Sequence, residues 1–367
     1  MQRSFLTSDV ALKSAIAFVI VGIHLGCCFP VGVALGEPRG PEAAASKGHT
    51  PGQVSDGVPP GDFVLVFAAI GDSHISARQA DATKTLKALS ISEELLRNYV
   101  RDINSHIPPV DFAFQLGDLT DSSSPEEFAI ARSVFDTLRC PLYPVVGNHD
   151  NMRSDNKQGW KEFAGMDSTM YAFDKCGFRF IVIDCTVNPY KHPHVDCDST
   201  VRAWVARDLA LNSDKPAFVI SHFNMWQRDW TAAFAAKGGY REYRGMPELR
   251  EILTRAGNVV AVINGHVHAN RVEVHDNIYY IDIGATLVGR PSIRYFYLFP
   301  DRVEVTYAYI SNDRLLNHVE YLAHNCPHCF DRVKICDFID GGDSGKRFTI
   351  PIKTSVRARS NLREWIR

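Results

Sequence analysis

The chain has 367 residues, enough for one large domain or two ordinary ones, and its 45% hydrophobic content can fill a real core. A formal net charge of −2 argues against a general nucleic-acid binder, which is usually basic, so no specific nucleic-acid partner is expected. No long run of like charge and no internal repeat stands out.

In chain order, Arg3 and Lys13 precede the apolar stretch Ala15 to Leu25, and small residues lead to Ala34-Leu35-Gly36. A basic start, an apolar run of this length and a small-residue site predict a signal peptide over 1–36. An uncleaved membrane anchor and lipidation at Cys27 or Cys28 stay open as alternatives. The expected location is outside the cytoplasm: periplasmic, extracellular, or attached through the N-terminus to the outer side of a membrane. Residues 37–61, rich in Pro, Gly and Ala, predict a flexible linker. There are nine cysteines, seven of them beyond the presumed signal. An oxidising compartment permits disulfides, but their pairing cannot be read from spacing.

From residue 62 the pattern becomes regular. Phe63 to Ile70 is a continuous apolar run, as in a strand buried on both faces. A helix is predicted over 80–104, then a strand at Asp111 to Leu116. A second helix begins at Ser124-Pro125-Glu126-Glu127, where Ser is a good cap and Pro suits the first turn. Leu142 to Val146 is a third strand, and the segments around Lys175-Cys176-Gly177 read as a hairpin. Helices near 199–211 and 247–255 lead to strands ending at Ser221-His222 and Asn264. Four more strands follow, to about residue 310. Alternating strands and helices followed by hairpins predict an α/β fold, two sheets face to face with helices outside. The expected catalytic domain is 62–310, with a Cys-containing extension over 311–367.

Chemistry gathers at the strand ends, where α/β sheets place their sites. Five strands end in Gly71-Asp72-Ser73-His74, Gly117-Asp118-Leu119-Thr120-Asp121, Gly147-Asn148-His149-Asp150, Ser221-His222 and Gly265-His266-Val267-His268. Each fragment alone is more often a cap or a turn. Together they offer imidazole, carboxylate and amide groups, a donor mix suited to Zn, Fe, Mn or Ni rather than Ca. Seven ligands, Asp72, His74, Asp118, Asn148, His222, His266 and His268, are too many for one catalytic zinc and suit two ions sharing a carboxylate.

This motif set, spread over roughly residues 63 to 310, resembles the calcineurin-like metallophosphoesterases. The Gly117-to-Asp121 form looks most like the branch containing bacterial cyclic-nucleotide phosphodiesterases. It looks less like purple acid phosphatases, which lack the Asp-x-His pattern and carry a Tyr ligand after Gly-Asp. The resemblance implies a four-layer αββα sandwich of two mixed β-sheets. It further implies that Asp72, His74 and His268 hold one divalent ion, that Asn148, His222 and His266 hold a second, and that Asp118 bridges them. His149 then faces the phosphate as the acid for the leaving group, with Asp150 orienting it, and Asp121 shapes the loop or orients a ligand. The implied activity is hydrolysis of a small-molecule phosphate ester, a diester in preference to a monoester, by in-line attack of metal-bound hydroxide. A non-catalytic binding module on the same fold is the alternative of a different class.

Three further segments invite a functional reading. Phe223 to Gly245 follows a ligand position and carries Trp226, Arg228, Trp230, Tyr240, Arg241, Tyr243 and Arg244, which suits either a substrate lid or a surface helix packed on the domain. Cys185 and Cys197 flank a loop holding His192 and His194 and could close it by a disulfide. Cys326-x-x-Cys329 with Cys336 reads as a structural disulfide or accessory loop before a redox motif, since no thioredoxin-like unit frames it. His106 and His275 read as structural or surface residues.

Overall fold

In the computed structural model, residues 58–78, 80–83, 85–153, 157–187, 195–226, 243–325, 339–342 and 345–353 are described. The expected signal and most of the expected linker lie outside them. So do His192, His194, Arg228, Trp230, Tyr240, Arg241, Cys326, Cys329 and Cys336.

The apolar runs form strands: β1 (Leu65–Ile70), β2 (Phe112–Gln115), β3 (Leu142–Pro144), β4 (Tyr171–Lys175), β5 (Phe178–Val182) and β6 (Ala217–Ser221). The later strands are β7 (Val259–Asn264), β8 (Arg271–His275), β9 (Ile278–Asp282), β10 (Ser292–Leu298), β11 (Arg302–Tyr309) and β12 (Phe348–Pro351). One sheet has the order β12-β11-β10-β1-β2-β3 and the other β4-β5-β6-β7-β9-β8. Both are mixed. In the first, β1, β2 and β3 run parallel while β10 to β12 are antiparallel. In the second, β5, β6, β7 and β9 are parallel between the antiparallel edges β4 and β8.

Phenylalanines fill the space between the sheets. Phe67 of β1 stacks on Phe296 with centroids 4.5 Å apart and meets Phe180 and Phe218 of the other sheet edge-on at 5.7 and 5.8 Å. Such offset and edge-on pairs add to the area they bury. Helices cover the outer faces. On the first sheet lie α1 (Ser92–Asn104), α2 (Pro125–Phe135) and α3 (Gln158–Ala164), with Leu95, Tyr99, Val134 and Trp160 buried. On the second lie α4 (Ser199–Leu211) and α5 (Met246–Ala256), through Val205, Leu209, Leu249 and Leu253. The result is the αββα sandwich of two mixed sheets that the sequence implied. Among the described residues, no helix is long and apolar enough to cross a membrane.

Local chemistry explains the element ends. Ser124 caps α2 through a complete capping box with Glu127, and Pro125 occupies the first turn. The helix expected over 80–104 starts only at Ser92. Ahead of it, Ala82 and Lys87 close a turn by reciprocal backbone hydrogen bonds of 2.9 and 3.2 Å, with Leu86 at a φ of 60°. Past residue 310 the chain adds α6 (Asp313–His324), which buries Leu315 and Val319 against the first sheet, and β12, which pairs antiparallel with β11.

Candidate metal centre

The parallel strands β1, β2 and β3 of one sheet and β6 and β7 of the other all end at the same rim. Asp72 and His74 follow β1, Asp118 follows β2, Asn148 follows β3, His222 follows β6, and His266 and His268 follow β7. The turns that present them are sterically demanding. His74, Asp118, His266 and His268 have φ of 39°, 49°, 68° and 54°, a left-handed region that non-glycine residues rarely occupy and that is held against strain at functional sites. Gly147 is required by close approach: a Cβ there would lie 2.0 Å from the Asp118 amide nitrogen and 2.2 Å from its Oδ1.

Ligand atoms of Asp72, His74, Asp118 and His268 lie within 4.8 Å of one another, and so do those of Asp118, His222 and His266. Asp118 belongs to both groups. Its Oδ2 is 3.6 Å from His74 Nε2 and its Oδ1 is 3.4 Å from His222 Nε2. In the first group, His74 Nε2 and His268 Nε2 face each other at 3.1 Å, and His268 Nε2 is 3.5 Å from Asp72 Oδ1. In the second, Asn148 Oδ1 sits 3.2 Å from His222 Nε2. Nitrogen and oxygen lone pairs converging from both sides of a shared carboxylate fit two divalent ions of borderline hardness.

The supporting hydrogen bonds fix the ligands. Asp72 accepts the His266 backbone N–H at 2.9 Å, His222 Nδ1 is 2.8 Å from the Leu116 carbonyl, and Asp118 accepts the His149 N–H at 2.7 Å. The charges also favour cations. Burial pushes Asp72 up, but His268 and His222 outweigh it and hold its carboxyl at about 2. Asp118 is likewise raised by burial but held well below the usual range by His222 and His149. Conversely, burial lowers His222, yet Asp118 and Asp72 draw it up to about 9, while burial and the neighbouring His222 push His266 down to about 3. The surrounding imidazoles thus favour the ionised form of both buried carboxylates, which suits a site for cations.

His149 stands beside this set with its side chain 27% exposed, its ring edge-on to His74 at 4.6 Å. Its Nδ1 is 2.6 Å from the Asp121 carbonyl oxygen. This corrects the expectation that Asp150 orients it. Asp150 is buried and its carboxylate accepts from Thr120 N (2.9 Å), Thr120 Oγ1 (3.0 Å), Gly147 N (3.0 Å) and Leu119 N (3.2 Å). It staples the Asp118 turn to the Asn148 turn, because the tight Gly147–Asp150 bend folds the carboxylate back toward β2. Burial and the charge of Asp118 raise Asp150 to about 6.

Lys87, which the sequence reading passed over, completes the centre. Its Nζ is 3.1 Å from His74 Nδ1 and 3.2 Å from Asp121 Oδ1. His74, Asp121 and His149 form a third group with ligand spacing, and the Lys87 side chain reaches two of its three members. Its position inside a stretch with helical spacing gave no signal, because it reaches the site only through the Ala82–Lys87 turn.

Of the aromatic and basic segment after His222, the described residues divide. Trp226 does not reach the ligands: it stacks on His275 at 4.1 Å, with the Arg250 guanidinium 4.1 Å over its ring. Tyr243 does reach them, its hydroxyl 3.0 Å from His266 Nε2. Arg244 is exposed and pairs with Asp196 at 3.4 Å. Cys185 and Cys197 are buried free thiols in contact rather than the disulfide considered from sequence, and the hydrogen bond to Cys197, with burial, raises the Cys185 thiol well above its usual range. His106 is structural, stacked on Tyr295 at 4.0 Å and 2.9 Å from the Tyr297 hydroxyl.

The calcineurin-like phosphoesterase family model matches residues 65–270, more than half of the chain and all the strand ends above. The chain is 22% identical over 222 residues to a 3',5'-cyclic-nucleotide phosphodiesterase of Nostoc, covering 60% of this chain and 78% of that protein. It is 29% identical over 166 residues to the glycerophosphodiester phosphodiesterase GpdQ of Enterobacter lignolyticus, covering 41% of this chain and 54% of the relative. Among solved structures, a dimetal phosphatase from Danio rerio shares the fold with a TM-score of 0.55 at 14% identity, over 80% of this chain and 100% of that one. With this match joined to candidate metal-binding residues in two groups that share Asp118, the chain belongs to the calcineurin-like phosphoesterase family, as a metal-dependent hydrolase of phosphoric esters.

Proposed function

We propose that the chain is an exported phosphodiesterase working with two divalent ions. The observation that carries this reading is Asp118, which turns one oxygen to each ligand group while its Oδ1 also accepts the His149 N–H. Asp72, His74 and His268 would hold one ion, Asn148, His222 and His266 the other, and Asp118 would serve both. When bound, such a pair supplies Lewis-acid pull on the phosphoryl oxygens and an activated water. The remaining work falls to the chain. The turn at 147–149 sets His149 beside the bridging carboxylate. With Nδ1–H donating to the Asp121 carbonyl, His149 Nε2 is left to hold a second proton and deliver it to the departing alkoxide.

Two relatives, each named as a diesterase, support a diester substrate. The expected substrate is a small-molecule phosphodiester, and cyclic nucleotides and glycerol-linked diesters are the first to try. Bis-(p-nitrophenyl) phosphate should turn over faster than p-nitrophenyl phosphate under separate Mn, Fe, Zn and Ni loading. A faster monoester would overturn the diester preference, and two bound ions without turnover of either would mark a binding module. Export is carried by residues 1–36 alone, and a reporter fused to them should be secreted.

A further inference from the structure

We propose that Tyr243 is a positioning residue for the second metal position, its hydroxyl fixing the His266 ring so that the opposite nitrogen meets Asp118 and His222. The inference rests on the dimetal reading above and adds a residue outside the motif set. Tyr243 Oη lies 3.0 Å from His266 Nε2. An imidazole has two nitrogens, so with Nε2 engaged by the hydroxyl, Nδ1 is the one left for an ion. A ligand bound through Nδ1 keeps its proton on Nε2 and donates it, and the phenol oxygen is the acceptor.

His266 needs such a hold. Its backbone sits at a φ of 68°, and its N–H is committed to Asp72, so the ring projects from a strained turn. The Phe223 ring packs 4.6 Å from His266, 4.9 Å from His222 and 5.5 Å from Tyr243, forming an apolar wall that offers no competing polar partner.

Tyr243 itself is mounted firmly. Its carbonyl accepts the Met246 N–H at the start of α5 (3.2 Å), and the Arg244 carbonyl accepts the Cys197 N–H (2.9 Å). Gly245 follows at a φ of 78°, where a Cβ would fall 1.9 Å from the Cys197 carbonyl oxygen, so the mount tolerates no side chain there. The hydroxyl is thereby placed by the backbone on either side of it.

The test is calorimetric titration of metal-free protein with Mn(II) and with Zn(II), reading each equivalent separately. Y243F keeps the ring and removes the hydroxyl. One of its two equivalents should bind on the order of 10–100-fold more weakly than in wild type, with the other unchanged. R244A, at an exposed neighbour, should match wild type. Y243F binding both equivalents like wild type would overturn the proposal, as would a loss seen in Y243L and not in Y243F, which would assign the effect to packing. Wild type binding fewer than two equivalents would defeat the dimetal reading instead, and two bound equivalents without ester hydrolysis would defeat the hydrolase reading while leaving the Tyr243 result standing.

Discussion

Lys87 Nζ lies 3.1 Å from His74 Nδ1, on the side of the ring away from the convergent ligand atoms. The same ammonium bonds Asp121 at 3.2 Å, and the Asp121 carbonyl holds His149. A histidine that ligates through Nε2 carries its proton on Nδ1, and the Asp121 carboxylate, 3.5 Å from that nitrogen, is its acceptor. Lys87 therefore supports both the ligand and the proposed acid by holding Asp121 in place.

Lys87→Met keeps the length of the side chain and removes its charge. With Asp121, the outer partner of His74, no longer held, the variant should bind the ion of the Asp72, His74 and His268 group up to about 10–100-fold more weakly. It should also lose roughly 1–3 kcal/mol of stability, because the buried part of Asp121 loses its donor. Metal titration and chemical denaturation measure the two effects. Wild-type affinity in the variant would show that Lys87 braces nothing.

His149 and Asp118 should separate by metal content. Asp118→Asn should lose most activity together with bound metal, since the bridge serves both groups. His149→Ala should keep its metal and lose roughly 10²–10⁴-fold in turnover of alkyl esters, the usual worth of a positioned acid. The loss should shrink for p-nitrophenyl esters, whose leaving group needs no proton. Full-rate alkyl ester hydrolysis by His149→Ala would remove the acid assignment.

The residues that converge at the rim were legible because metal chemistry demands few residue types and the strand ends announce their place. The helices and strands were legible where apolar runs and caps agree, as at β1 and α2. What stayed hidden is tertiary. Lys87 reaches the centre through a turn, with no spacing to betray it, and Tyr243, named only as part of the aromatic segment after His222, reaches His266 from a mount that sequence does not show. Asp150 misled for the opposite reason: next to His149 in sequence, it turns away to bind Thr120, Leu119 and Gly147.

Asp150 gives a pH prediction. Its carboxyl is raised from 3.8 to about 6 by burial and Asp118, so its ionisation costs the fold. For a raised acid, the favourable contribution is complete below the unfolded value and is lost as pH climbs through the folded one. Metal-free wild type should therefore lose on the order of 2–3 kcal/mol between about pH 4 and 6 relative to Asp150→Asn, in which nothing ionises at this position. Thermal unfolding of both proteins across that window, with chelator present, measures the difference. Parallel curves would mean that Asp150 ionises in the fold as it does in the unfolded chain. Bound ions should shrink the effect by neutralising Asp118.

Trp226 decides what part of the segment after His222 is scaffold. Its ring is held between His275 of β8 and the Arg250 guanidinium of α5, and Arg250 Nη1 also donates to the Met225 carbonyl at 2.6 Å. These contacts bind the segment to the second sheet, away from the ligand atoms. Trp226→Ala removes a stacked and cation-bearing ring, and partial burial sets the cost at roughly 2–4 kcal/mol. KM for diesters and both metal affinities should stay at wild-type values, because no ligand or proton donor touches the ring. Urea unfolding beside steady-state kinetics on the folded variant separates the two roles. A raised KM at unchanged stability would return Trp226 to the substrate, and the aromatic ring would then have to leave His275 to reach it.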